Sequence, residues 1–227
     1  MKKIILSLVV ALAAITSGFA QYYGGEPVGT VYEYEMTNPL MGAMKLTQTV
    51  EAVGGDSIVF KTNTNMPGAA APIVMTNKFT IKDGKAYVDP KNVIESTKAS
   101  MAPALGGADM DIDFNGEAGF IPLVGKVGDK FPLYNYDSTV KAMGMEIKTK
   151  AEVTKFEIIR EEEITTPVGK FNTFVVEVDV KTTTQAMGQN QNFDMKQFYW
   201  IVPNKGPVKM EQSMAGQTMT TTLVGIK

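Results

Sequence analysis

Apolar and polar residues alternate along most of this chain, and that period of two limits what it can fold into. In a strand, successive side chains point to opposite faces, so such a pattern specifies a sheet with one face buried. Residues 170–183 set Phe174, Val176, Val178 and Val180 against Glu177, Asp179 and Lys181. Residues 28–37 set Val28, Thr30, Tyr32, Tyr34 and Met36 against Glu33 and Glu35. Residues 145–153 place Met145, Ile147, Thr149, Ala151 and Val153 opposite Glu146, Lys148, Lys150 and Glu152. The apolar set then moves to Phe156 and Ile158. That change of face predicts a β-bulge near Lys155.

The same reading predicts strands at 45–53, 57–65, 73–82, 85–89, 109–114, 131–142, 192–202, 207–214 and 217–226. Turn chemistry separates them, including Asp83-Gly84, Pro167-Val168-Gly169 and Asn204-Lys205-Gly206. Asp-Gly between alternating runs is a hairpin signal, because a two-residue turn there needs positive φ. One helix is expected: Asp89 caps it, Pro90 suits its first turn, and Val93, Ile94, Thr97 and Met101 share a face before Pro103. About 10–12 strands joined by short turns must curl, since flat open sheets of that width are unusual. The expectation is a mainly β fold: a curled antiparallel sheet, an open half-barrel, with one short helix against its concave face.

The N-terminus reads as a secretory signal peptide over residues 1–20. Lys2 and Lys3 precede an apolar run from Ile4 to Ile15, and Gly18 and Ala20 supply small residues before a cut at Gln21. The run is short for a bilayer span. No cysteine stands at the junction to carry a lipid. The mature chain, 21–227, is then a single β-rich domain, exported to the periplasm or beyond and not lipid-anchored. Losing two lysines leaves 20 basic residues against 24 acidic, a formal net charge of −4. That gives no attraction to nucleic acid.

Cysteine and histidine are both absent. An apolar core rather than disulfides must hold the fold. The absences also remove cysteine nucleophiles, Ser-His pairs and the usual zinc ligands. No spacing of carboxylates or Ser-Lys pairs singles out a reaction. The expectation is a non-enzymatic protein without a cofactor. Asp109, Asp111, Asp113, Asn115 and Glu117 could suggest a calcium loop, but Phe114 and Phe120 stand where an EF-hand needs Gly and Glu. A strand with Met110, Ile112 and Phe114 inward accounts for them. Glu161-Glu162-Glu163 reads as a solvated turn edge that discourages edge pairing.

In the C-terminal half, three stretches occur in order: Lys126-Val127-Gly128-Asp129-Lys130-Phe131-Pro132, then Thr166-Pro167-Val168-Gly169-Lys170-Phe171-Asn172-Thr173-Phe174, then Tyr199-Trp200-Ile201-Val202-Pro203-Asn204-Lys205-Gly206-Pro207-Val208-Lys209. This set resembles a group of exported bacterial proteins of unknown function with a YmcC-like fold, a half-barrel like that of the lipoprotein carriers LolA and LolB. The likeness covers 120–227 well and the first half weakly. It implies a curled sheet and, by analogy with the carriers, a hollow for acyl chains. It implies no catalytic residue. Tyr199 and Trp200 point to opposite faces, so one of them enters the core.

Methionine is unusually frequent, with fifteen in the chain. In the C-terminal half, Met143-Gly144, Met187-Gly188 and Met214-Ala215-Gly216 alternate with polar turns. In the N-terminal half, Met41-Gly42 and Met66-Pro67-Gly68 do the same. Alternate turns of an antiparallel meander lie at one end of the sheet. Met143, Met187 and Met214, with Met41 and Met66 added by extension, are therefore candidates for an apolar rim. Three roles compete: irregular core filling, a soft contact surface for a lipid or partner, and thioether ligation of monovalent copper. Without neighbouring His or Cys the copper role is the weakest, and no metal site is assigned.

The partners to expect are an apolar small molecule or lipid held in the curled sheet, or else another envelope protein. Threonines such as Thr182, Thr220 and Thr222 suit either a wet cavity or a solvated outer face.

Overall fold

The computed structural model describes residues 25–38, 42–65, 72–102, 109–117 and 119–227. The expected signal peptide, Met41 and Met66 lie outside these residues. Thirteen strands form one antiparallel sheet: β1 (Val31–Asn38), β2 (Gly42–Gly54), β3 (Ser57–Asn65), β4 (Ile73–Lys82), β5 (Lys85–Val88), β6 (Met110–Gly116), β7 (Phe120–Pro122), β8 (Asn135–Ala142), β9 (Met145–Thr166), β10 (Gly169–Ala186), β11 (Gln189–Val202), β12 (Gly206–Met214) and β13 (Gln217–Ile226). Helix α1 (Pro90–Met101) separates β5 from β6. The strand order is β6-β8-β9-β10-β11-β12-β13-β1-β2-β3-β4-β5-β7. The N-terminal and C-terminal strand groups are thus joined where β1 pairs with β13.

The sheet curls but does not close into a barrel. Its concave side carries the core: Tyr32, Tyr34, Leu46, Phe60 and Phe79 from one half, Val176, Tyr199, Ile201 and Met210 from the other. Phe60 sits between Tyr32 and Phe79, with ring centroids 6.3 and 6.2 Å away. At the far edge, β7 brings Phe120 to within 5.0 Å of the Phe156 ring on β9, so the last strand folds back over the middle of the sheet. The expected bulge is present. Thr154 is skipped in the β9–β10 register between Lys155 and Val153, and a second skip falls at Ile159. Each bulge adds local twist, which helps this long strand of 22 residues wrap.

Helix α1 begins as expected. Asp89 accepts hydrogen bonds from the Lys91 and Asn92 backbone N–H groups, at 3.0 and 3.4 Å. The helix packs Ile94 on the concave side, at the end of the sheet that holds Val140 and Ile147, and it also bonds a sheet edge. β5 is too short to cover all of β4, and α1 lies along the uncovered edge. Ser96 Oγ and Asn92 Oδ1 accept from the N–H groups of Thr76 and Lys78, at 2.6 and 2.7 Å. Ile94 packs on a small cluster of Ile112, Val140 and Ile147, and Lys98 pairs with Asp111 on β6 at 3.5 Å. The helix therefore covers an open sheet edge and reaches the strand at the opposite end of the sheet order.

Candidate functional site

The three described candidate methionines all come at the same end of the meander, because the β8–β9, β10–β11 and β12–β13 turns are alternate turns. The pairing of β13 with β1 also fixes the direction of re-entry: Thr37 lies opposite Thr220, so the end of β1 and the start of β2 belong to this end too. The end is not level. Met214 lies opposite Met195, whereas the β10–β11 turn lies between Ala186 and Gln189, six residues further out along β11. At about 3.3 Å per residue the β12–β13 turn sits roughly 20 Å behind.

Met143 and Met187 are hairpin tips. Each is the first residue of a two-residue turn whose second is glycine, with φ of 51° and 74° at Met143-Gly144 and 52° and 74° at Met187-Gly188. They are 56% and 65% exposed. Met214 differs from the expectation of a turn tip. It is the last residue of β12, half-buried on the side facing Met195, and Ala215-Gly216 make the turn.

The left-handed backbone conformation disfavours most side chains, and Asn, Asp and Gly tolerate it best. The opposite end obeys that preference with Asp83 and Asn204 at positive φ. Exposed valines occur there as well, but among charges: Val53 near Glu51 and Asp56, Val124 and Val127 near Lys126 and Asp129.

A cavity of about 30 Å³ lies between Phe120, Tyr134, Tyr136, Phe156, Gln197 and Tyr199. Small-molecule sites usually span about 300–1,000 Å³. Much of the inner surface is also polar, since Gln48, Thr62, Gln197 and Thr221 are fully buried. Tyr199 Oη donates to Gln197 Oε1 at 3.1 Å, and the amides of Gln212 and Gln197 donate to Met195 Sδ at 2.9 and 3.7 Å. That thioether is engaged as a hydrogen-bond acceptor inside the core. Burial pushes the Tyr134 phenol up to about 12, with Tyr136 adding to it. The Tyr199 phenol is raised further by the same burial.

The outer face holds two clusters that sequence reading missed. Tyr199 takes the core position, yet Trp200 is buried as well. Lys209 Nζ stands 4.2 Å from its ring centroid, Arg160 stacks at 5.7 Å, and Trp200 Nε1 donates to Glu162 Oε2 at 3.0 Å. Glu161–Glu163 are therefore not a turn edge; they lie within β9, and Glu162 is a partner of Trp200. Beside them, Glu177 accepts from Lys155 and Lys196, both at 2.6 Å. Burial pushes its carboxyl up, but the hydrogen bonds and charges of the two lysines outweigh that and hold it below the usual value. Only cross-strand register brings these residues together, and the linear sequence does not show it. Thr220 and Thr222 share this outer face, opposite Glu211 and Lys209, while Thr221 points inward.

The acidic stretch forms β6 with Ile112 buried and Asp111 exposed. Among the described residues, no three acidic side chains converge on a common point.

This architecture, one large curled antiparallel sheet that does not close into a barrel, is a YmcC-like fold. The chain belongs to the DUF3108-like family, whose pattern matches residues 29–224. It is similar in fold to a lipoprotein candidate of Parabacteroides distasonis, with a TM-score of 0.62 and 16% identity over 92% of this chain and 99% of that one. It is equally similar to an exported-protein candidate with YmcC-like fold from Bacteroides fragilis, with a TM-score of 0.60 and 16% identity over the same shares. No curated protein matches the chain.

Proposed function

We propose that this chain is an exported, non-enzymatic binding protein of the cell envelope that meets an apolar partner at the methionine-bearing end of its sheet. The observation that carries the reading is the pair Met143 and Met187, both exposed and both in a backbone conformation unfavourable to methionine. A residue kept at a turn against its conformational preference, and left apolar in water, points to a contact made there. Export rests on the basic, apolar and small-residue pattern of residues 1–20, and it agrees with the descriptions of the two structural neighbours. An acyl chain held inside the curl has less support, because the cavity is about 30 Å³ and partly polar.

Titration of a fluorescent fatty-acid probe into the wild type and the M143N/M187N variant tests this. Weak binding that falls about tenfold or more in the variant is expected, given about 1.4 kcal/mol per tenfold. Equal binding by the two proteins would remove the contact from this end. A lipid mass retained in native mass spectrometry would return the ligand to the interior.

A further inference from the structure

We infer that Met143 and Met187 form a methionine-oxidation site: their thioethers take oxygen from a hydroperoxide ahead of the core methionines, and the fold is kept. No macromolecule has to dock on the tips for this. A small oxidant dissolved in water reaches any thioether that water reaches.

The chain has fifteen methionines and no cysteine, so thioethers are the only sulfur open to a two-electron oxidant. With hydrogen peroxide, a sulfur lone pair bonds to one peroxide oxygen and the O–O bond breaks. The sulfur is oxidised by two electrons to the sulfoxide, and the peroxide is reduced. The proton on the transferred oxygen passes to the leaving hydroxide, which departs as water.

The structure divides the methionines sharply. Met143 and Met187 are 56% and 65% exposed, whereas Met36, Met44, Met195 and Met210 are 5%, 4%, 5% and 1% exposed and belong to the main core. Met36 and Met44 face each other across β1 and β2, and Met210 faces Tyr199. The Met195 sulfur is shielded twice over. The Gln212 and Gln197 amides donate to it, and so engage the lone pairs that an oxidant needs.

The tips also have room for the product. A Cβ added at Gly144 or Gly188, the second residue of each turn, would meet no heavy atom within 4 Å. A sulfoxide oxygen beside them is solvated by water. In the core it would be a buried acceptor without a donor, which destabilises the fold. Oxidation there has to wait for local opening of the sheet. One consequence rests on the reading above: sulfoxides make the tips polar, so peroxide would release an apolar contact made there.

The test is timed exposure of the mature protein to dilute hydrogen peroxide, followed by peptide mapping in a mass spectrometer and thermal unfolding of the same samples. Met143 and Met187 should each gain one oxygen at least about tenfold faster than Met36, Met44, Met195 and Met210. Tm should hold while only the tips are modified and should fall once the core methionines react. M143L/M187L should lose the two fast oxygens and keep the slow ones at their former rates.

Core oxidation as fast as that of the tips, tips still unreacted after the core, or a Tm that falls with the first two oxygens would overturn the inference. The fatty-acid probe separates it from the reading above. If the tips oxidise first and the oxidised protein binds the probe as well as before, the apolar contact falls and the modification site stands. If the tips resist peroxide while M143N/M187N loses the probe, the contact stands and the site falls.

Discussion

Replacing Met143 and Met187 by Asn should make the protein more stable. Both residues sit at φ near 51°, where an ordinary L-residue loses roughly 1–2 kcal/mol relative to a right-handed conformation. Asn recovers part of that, and Asn-Gly is a favoured pair for two-residue hairpin turns. About 0.5–1 kcal/mol per turn is a fair share, less a few tenths for the little surface that each methionine buries. The turns belong to separate hairpins without shared partners, so the gains should add to roughly 1–2 kcal/mol. For a chain of this size each kcal/mol moves Tm by about 2–4 °C. Thermal unfolding followed by Trp200 fluorescence and by circular dichroism would read a rise of about 2–8 °C at these scales. Asp83, at φ 51° in the opposite end's Asp-Gly turn, provides the reciprocal control. Asp83→Met should cost about what one Met→Asn gains. A fall in Tm for M143N/M187N would refute the reasoning, because it would mean that the methionines stabilise the fold through contacts of their own.

Other perturbations test the remaining clusters. Glu177→Gln leaves Lys155 and Lys196 without their carboxylate and should cost about 1–3 kcal/mol at neutral pH. Because the folded carboxyl lies below its usual value, its contribution is complete above about pH 4.5 and is lost as pH falls through the folded value. Urea denaturation should accordingly show wild type and variant converging in acid, and a gap that persists there would contradict the assignment. At the alkaline end, Tyr134 is held protonated to about pH 12, so the unfolded chain releases that proton first and stability declines from about pH 10 upward. In urea denaturation the fall in stability between about pH 10 and 12 should be shallower for Tyr134→Phe than for the wild type, and an equal slope would contradict the assignment. Asn92→Ala removes the acceptor for the Lys78 N–H and should cost about 1–2 kcal/mol, with faster amide exchange at Lys78; protection unchanged there would mean that α1 does not cover that edge.

Much of the strand layout was legible, for a reason that individual elements show. β3, β4 and β13 run over the residues that alternation and turn chemistry predict, because each has a solvated face and a buried face. The helix start was legible because Asp89 and Pro90 act locally. β7 was not: Phe120–Pro122 is too short for any period, and only its pairing with β5 makes it a strand. The charge of Glu161–Glu163 suggested solvent, but register places Glu162 beside Trp200. The small size of the cavity beside Phe120 was not legible either. It depends on how tightly the sheet curls and on Phe120 folding back onto Phe156, which are long-range facts. At the candidate site, the alternation of turns located Met143 and Met187, while Met214 was misjudged by one residue because the Ala215-Gly216 turn begins just after it.

An antiparallel meander gives every turn to one of only two ends, so the sequence of alternate turns composes a surface without touching the core. Strand residues are constrained on one face by packing; turn residues are constrained chiefly by φ. Where a turn residue meets that constraint, as Asp83 and Asn204 do, local stability explains it. Where two neighbouring hairpins carry methionine at that position, the φ preference of the turn does not account for the residue. The interior gives no such signal: its buried glutamines and threonines sit among core side chains, and its methionine sulfur is already hydrogen-bonded. Folds with TM-scores of 0.62 and 0.60 at 16% identity also show how freely sequence can change while the sheet is kept. Within such a scaffold the ends can change without repacking the core, which is why the proposed contact is sought at the Met143–Met187 end and tested there first.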